Sequence, residues 1–136
     1  MSCIYRGDRI VTTAGVAIDG NGRYFLARRQ AGGAQSRRWE FPGGKCDEGD
    51  RDERLCLQRE FREEFEIDVD VSDEIGSIPF EHNGIRYILV AYHIRMHTEP
   101  QVFTVHSEAG WFEKDHLLEL DLADSDRSLI ETCITS

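Results

Sequence analysis

Leu57, Phe61 and Phe65 recur every four positions inside the otherwise charged stretch 52–66, a period that predicts a helix with one apolar stripe turned to a core. Ahead of it, "RIVTTAGVAI" (9–18) is apolar and β-branched, as a strand should be. "DGNG" (19–22) then signals a hairpin, and "RYFLARR" (23–29) reads as the returning strand. "QAGGAQS" (30–36) is a loop, and "WEFPGG" (39–44) is a short apolar segment stopped by Pro and Gly. Beyond the helix, "IDVDV" and "IGSIPFEHNGIRYILVAYHIRM" predict two or three strands with a turn at 82–84. "AGWFE" (109–113) follows as a short strand and "KDHLLEL" as a short helix. "DRSLIETCI" (126–134) predicts a closing helix, with Asp126 at its N-cap. Strands and helices do not alternate strictly, so the expectation is a mixed α/β (α+β) fold with helices packed on a mixed sheet.

The 136 residues suit one domain with its own core. A formal net charge of −10 leaves no basic stripe for a nucleic-acid polymer or an anionic membrane. No apolar run nears the roughly 20 residues of a membrane span, and "MSCIYRGDRI" does not read as a signal peptide. Cys3, Cys46, Cys56 and Cys133 form no CxxC pair, so reduced thiols and a cytoplasmic location are expected.

The charge pattern raises a question that composition does not. Glu60, Glu63 and Glu64 converge on one side of the helix, with Glu53 two turns earlier. Each like-charge pair at such spacing costs roughly 0.2–0.5 kcal/mol, and the helix dipole disfavours acid near this end. The i,i+4 pairs Arg59–Glu63 and Arg62–Glu66 fit an ordinary solvated surface, but they leave the convergence of three acids unexplained. A divalent cation explains it, since hard carboxylate oxygens suit Mg²⁺ or Mn²⁺. The glycines of "FPGGK" upstream let the backbone approach a ligand closely, although an ordinary turn would use them too.

Loop and helix together resemble the Nudix box: Gly, five residues, Glu, seven residues, then Arg-Glu-apolar-any-Glu-Glu-any-Gly-apolar. Gly44, Arg59, Glu60, Phe61, Glu63, Glu64 and Ile67 match it in order. Asp50 stands where the first Glu is expected when counting from Gly44. One extra residue before Arg59 puts Arg51 in that slot when counting back, so Asp50 or Glu53 is left for the structural role. Glu66 replaces the Gly near the helix end. Val105 replaces an acid that the family often associates with metal, with His106 and Glu108 nearby as substitutes. The similarity runs over most of the chain and looks closest to the MutT-like branch. "FLARR" and "WEFPGGK" keep that branch's spacing, and "LADSDRSLI" resembles its base-reading segment without the prolines.

The resemblance implies a single Nudix-type α/β/α sandwich over 1–136 that hydrolyses a nucleoside triphosphate to monophosphate and pyrophosphate. It implies Mg²⁺, with Mn²⁺ as a substitute, held by Glu60, Glu63, Glu64 and the Gly43 carbonyl, with Arg59 steadying the acids and Glu63 as general base. Substrate would meet Arg29, Glu40, Phe41 and Asp126, while Gly44 and Asp50 shape the box. Oxidised guanine and cytidine nucleotides both remain open as substrates, as do monomer and homodimer. The alternatives are hydrolysis of ADP-ribose or a dinucleoside polyphosphate, and a non-catalytic nucleotide-binding module.

Overall fold

The computed structural model describes residues 3–33 and 35–135. Strands β1 (Tyr5–Arg6), β2 (Arg9–Val16), β3 (Tyr24–Arg29) and β4 (Trp39–Glu40) precede helix α1 (Glu53–Phe65). Strands β5 (Val69–His82), β6 (Ile85–Met96) and β7 (His106–Phe112) follow. A 3₁₀ turn at Lys114–Glu119 leads to α2 (Asp124–Leu129), which runs on in a wider π-type turn to Ile134.

The strands divide into two sheets, in the orders β1-β2-β6-β5 and β4-β3-β7. The first is mixed: β2 runs parallel to β6, while β1 and β5 are antiparallel to their neighbours. Val11, Ala14 and Val16 are all buried, as expected of a strand covered on both faces. One apolar cluster packs the α1 stripe of Leu57, Phe61 and Phe65 against Val11, Phe25, Val90 and Tyr92. A second packs Leu129 and Ile130 against Val16, Leu26, Phe41 and Leu89. The expected mixed architecture with helices against sheet is therefore present.

Three local expectations change. The "DGNG" turn does form, with Gly22 N–H donating to Asp19 O, but β2 and β3 are not a hairpin. Among the described residues, only the bridge at Ile18 and Tyr24 joins them before they enter different sheets, because β2 takes β6 as its partner. The strand pieces after the helix merge into one 14-residue β5 whose register shifts near Val71–Gly76. It turns into β6 through Asn83 and Gly84, both at positive φ, which is the two-residue turn that sequence favours. The expected strand at 109–113 begins earlier, at His106.

Cys46 and Cys56 form a disulfide, with Cα atoms 5.4 Å apart, against the expectation of four thiols. They lie ten residues apart, one on the glycine-rich loop and one on α1, so no local spacing marks them as a pair. The cysteine argument for a reducing compartment is removed with it. No helix among the described residues is long and apolar enough to cross a membrane.

Asp52 caps α1 by accepting from the Leu55 N–H at 2.9 Å. The helix stops at Glu66, which sits at φ 57 in the left-handed region, with its N–H donating to Arg62 O. That twist carries Glu66 away from Arg62, whose guanidinium instead meets Asp68 at 2.8 Å. A side chain in the left-handed region costs roughly 1–2 kcal/mol that glycine avoids. Glu66→Gly is therefore expected to raise stability by about 1 kcal/mol, seen as a melting temperature a few degrees higher with unchanged kinetics.

Candidate active site

The glycine-rich loop lies along β2. Gly15 N–H donates to Pro42 O and Thr13 N–H donates to Gly44 O, each at 2.8 Å. This alternation turns the intervening Gly43 carbonyl away from β2. A Cβ at Gly43 would stand 2.0 Å from Thr13 O, and one at Gly44 would stand 2.0 Å from the Glu60 carboxylate. Both glycines are thus required by close approach, the first to a strand and the second to an acid of α1.

Arg59 is the hub of the acidic face. Its Nε and Nη2 donate to the two oxygens of Asp50 at 2.8 and 2.9 Å, and its Nη1 donates to Glu60 at 3.1 Å and Glu63 at 3.0 Å. Asp50 is buried in this pair, and the Arg59 guanidinium holds its carboxyl below the usual carboxylate range. Of the two residues left open for the structural role, Asp50 is the one that Arg59 reaches. Glu53 faces elsewhere, taking Arg6 through both oxygens and the Tyr92 hydroxyl at 2.5 Å. The extra residue is absorbed at 50–52, ahead of the first helical turn.

The three glutamates form a gradient of burial. Glu63 is exposed, Glu60 is largely covered, and Glu64 points into the protein. Burial raises the Glu60 pKa. Burial, aided by the charges of Glu60 and Glu40, pushes Glu64 up to about 9. Among the described residues, none forms a hydrogen bond with Glu64 Oε1, so a buried acceptor is left over. An orphaned carboxylate oxygen beside two other acids is a donor set suited to a divalent cation, so the residues fit one.

The substrate candidates Arg29, Glu40, Phe41 and Asp126 gather around one recess with Gly43 and Gly44. Glu40 is buried, with Oε2 3.0 Å from Arg29 Nε and 2.8 Å from His106 Nε2. Asp126 is not an N-cap. It lies inside the first turn of α2, behind Ala123 at the cap position, and its side chain is buried, accepting the Phe41 N–H at 2.9 Å. Burial, with the nearby charge of Glu40, drives the Asp126 pKa well above the carboxylate range. Glu108 lies at the exposed edge near Arg28, so of the two residues flanking Val105 only His106 enters the site.

A recess of about 90 Å³ touches Arg29, Glu40, Gly43, Gly44 and Asp126. It shares Glu40, Phe80, Ser125 and Asp126 with an adjoining cleft of about 340 Å³ that reaches Tyr87 and His82. Phe80 and Tyr87 are stacked, with ring centroids 5.1 Å apart. No sequence period marks this aromatic pair, because it is made by cross-strand register between β5 and β6. A larger cavity of about 600 Å³ lies by Ala17, Met96 and Trp111, and none of the residues above lines it. The smaller cleft is the chemically equipped one.

The sequence matches the family described as NUDIX domain over residues 8–133. It is 32% identical over 124 residues to a CTP pyrophosphohydrolase of Escherichia coli (strain K12), covering 90% of each chain. It is 33% identical over 81 residues to an 8-oxo-dGTP diphosphatase of Proteus vulgaris, covering 57% of this chain and 71% of that one. The solution structure of the E. coli ORF135 protein superposes with a TM-score of 0.79 at 33% identity, over 91% of this chain and 87% of that one.

Proposed function

The chain belongs to the NUDIX domain family and is a Nudix hydrolase, and we propose that it hydrolyses a nucleoside triphosphate, CTP or dCTP foremost, to monophosphate and pyrophosphate. The observation that carries this reading is the continuity of the cleft. Gly43 and Gly44 lie at one end, with the Glu60 carboxylate of α1 packed against Gly44, and the stacked pair Phe80–Tyr87 lies at the other, with Arg29, Glu40 and Asp126 between. A polyphosphate fits the first end and a nucleobase the second.

Glu60, Glu63, Glu64 and the Gly43 carbonyl would hold Mg²⁺, with Mn²⁺ as a substitute. A bound divalent ion supplies charge neutralisation on the polyphosphate and a lowered pKa for the attacking water. The chain's own groups do the rest. Arg59 ties Glu60 and Glu63 to one guanidinium nitrogen by donating to both, while Asp50 fixes its guanidinium. Glu63, exposed on α1, accepts the water proton as the water oxygen bonds to the β-phosphorus. The bridge to the α-phosphorus breaks, and the monophosphate leaves with the electron pair. Arg29 steadies the phosphates.

Asp126 reads the base. Burial favours the neutral carboxyl of Asp126, and that form both donates and accepts, matching the acceptor N3 and donor N4 of cytosine. An ionised carboxylate would match the paired donors of guanine instead. A soluble nucleotide pool as substrate places the enzyme in the cytoplasm, working as a monomer or homodimer without nucleic-acid polymer.

Turnover of CTP, dCTP, 8-oxo-dGTP and ADP-ribose, with and without Mg²⁺ and with product separation, tests the reading. Cytidine nucleotides are expected to give the highest kcat/KM and to yield monophosphate plus pyrophosphate. Asp126→Ala should cost roughly 10–100-fold in kcat/KM on the preferred nucleotide, mostly through KM. Efficient hydrolysis of ADP-ribose with slow triphosphates would replace this reading by the diphosphate one.

A further inference from the structure

Glu40, Glu64 and His106 come from three elements, β4, α1 and β7, yet ligand atoms of all three lie within 4.8 Å of one another and all three are buried. We propose that this cluster is a separate site for a divalent transition ion, with Glu64 Oε1 and His106 Nδ1 as ligands and Glu40 orienting the imidazole. The proposal rests on the reading of Glu64 as a metal ligand but goes beyond it in residue, donor type and choice of ion.

His106 has almost no freedom to do anything else. Its ring is stacked on Phe65 at 5.2 Å with planes 7° apart, and its side chain is wholly covered. The residues leading into β7 are tied to the last turn of α1: Thr104 N–H donates to Glu64 O, and the Thr104 hydroxyl donates to Glu63 O and Glu64 O. Gln30 Nε2 donates to His106 O from the other side, beside a bulge that offsets Arg29 from Arg28 in the β3–β7 register. The imidazole is therefore aimed by backbone contacts, not by rotamer chance.

Its two nitrogens meet different surroundings. Nε2 is 2.8 Å from Glu40 Oε2, an acceptor, so the ring proton belongs there and Nδ1 presents its lone pair. Nδ1 faces Glu64 Oε1 at 4.0 Å, and among the described residues neither atom has a hydrogen-bond partner. At that distance an N–H on Nδ1 would not reach the oxygen either. Two buried polar atoms facing each other across a gap, neither with a partner, leave room for a group that bonds both. A gap of 4.0 Å is spanned by two metal bonds of about 2.0–2.2 Å set at a wide angle, as across an octahedral ion such as Mn²⁺. A carboxylate on the far ring nitrogen is also the usual means of fixing a ligating histidine.

The donor set chooses the ion. Oxygen-only ligands at Glu60, Glu63 and the Gly43 carbonyl suit Mg²⁺, whereas an imidazole nitrogen beside a carboxylate favours Mn²⁺, Co²⁺ or Zn²⁺ over Mg²⁺. Charge agrees. With Glu64 ionised as a ligand, Glu40 and Glu64 against Arg29 sum to one negative charge, and the divalent ion turns that sum to one positive charge beside the recess by Gly43 and Gly44. That sign attracts a phosphate.

Pulsed paramagnetic resonance of the metal-depleted full chain titrated with Mn²⁺ reads the ligand directly. Wild type should show coupling from one imidazole nitrogen, and His106→Gln should lose it. Mn²⁺ affinity at this site should fall roughly tenfold or more in His106→Gln and in Glu40→Gln, with Mg²⁺ affinity little changed. Oxygen-only coupling in wild type, nitrogen coupling that survives His106→Gln, or no bound Mn²⁺ would each overturn the site. The wild-type spectrum decides even if a variant fails to fold. Oxygen-only coupling with retained triphosphate hydrolysis would remove this site alone. Nitrogen coupling without turnover of any nucleotide would instead remove the pyrophosphohydrolase reading.

Discussion

Replacing Glu63 by Gln is expected to lower kcat by roughly 10²–10⁴-fold, the range for loss of a positioned general base. The melting temperature should move by no more than about 2 °C. The two expectations separate because of where Glu63 stands. Its side chain is exposed, and its ion pair with Arg59 is one of several that Arg59 makes. An exposed i,i+4 pair is worth only about 0.3–0.5 kcal/mol. Gln keeps the shape and loses only the ability to ionise and take a proton. Steady-state kinetics on the preferred nucleotide, beside a thermal melt, checks both halves. Activity retained within threefold would move the base to another acid. A large loss of stability would mean that Glu63 is structural.

Glu64→Gln should behave in the opposite way, losing activity while making the metal-free protein more stable. Glu64 has its pKa pushed up to about 9 by burial, from an ordinary 4.5. A group whose folded pKa is raised favours the folded state below its unfolded value and loses that contribution as pH climbs toward the folded value. Between pH 4.5 and about 9 the apo protein therefore becomes steadily less stable on account of this residue. By pH 7 the loss is roughly 3 kcal/mol, or about 10 °C in melting temperature. Gln cannot ionise, so the wild-type and Gln curves should coincide near pH 4 and diverge in favour of Gln at neutral pH. A saturating divalent ion should stabilise wild type far more than the variant, since the carboxylate that burial penalises is the one the ion needs. Parallel melting curves across this range would show that Glu64 is solvated, not buried. Such a result would make Glu64 a destabilising acid kept for its ligand, a trade common where function needs a strained or under-partnered group.

How much of this the chain discloses on inspection differs from residue to residue. The stripe Leu57, Phe61, Phe65 identified α1 correctly because three neighbours on one face answer to a single local period. Arg59 and the acids around it were recognisable for the same reason, being one turn apart. The role of Asp50 was readable only as an alternative to Glu53, and the choice came from which carboxylate Arg59 reaches. Asp126 illustrates the opposite case. Its sequence neighbourhood is equally that of a cap, and only the fold, which brings Phe41 N–H to its oxygen across 85 residues, makes it a buried pocket acid.

By itself the sequence determined the helix, its apolar and acidic faces, the Asn83–Gly84 turn and the family. All of these rest on contacts within a turn or two, where side-chain chemistry and backbone preference act directly. The tertiary structure alone decided the rest. It parted β2 from β3 into separate sheets, joined Cys46 to Cys56, stacked Phe80 on Tyr87 and turned His106 toward Glu64. Each of those depends on which strand partners which and on which face is left for burial. Residues far apart in the chain meet only after the competition among alternative pairings has been won by the arrangement that covers the most apolar surface.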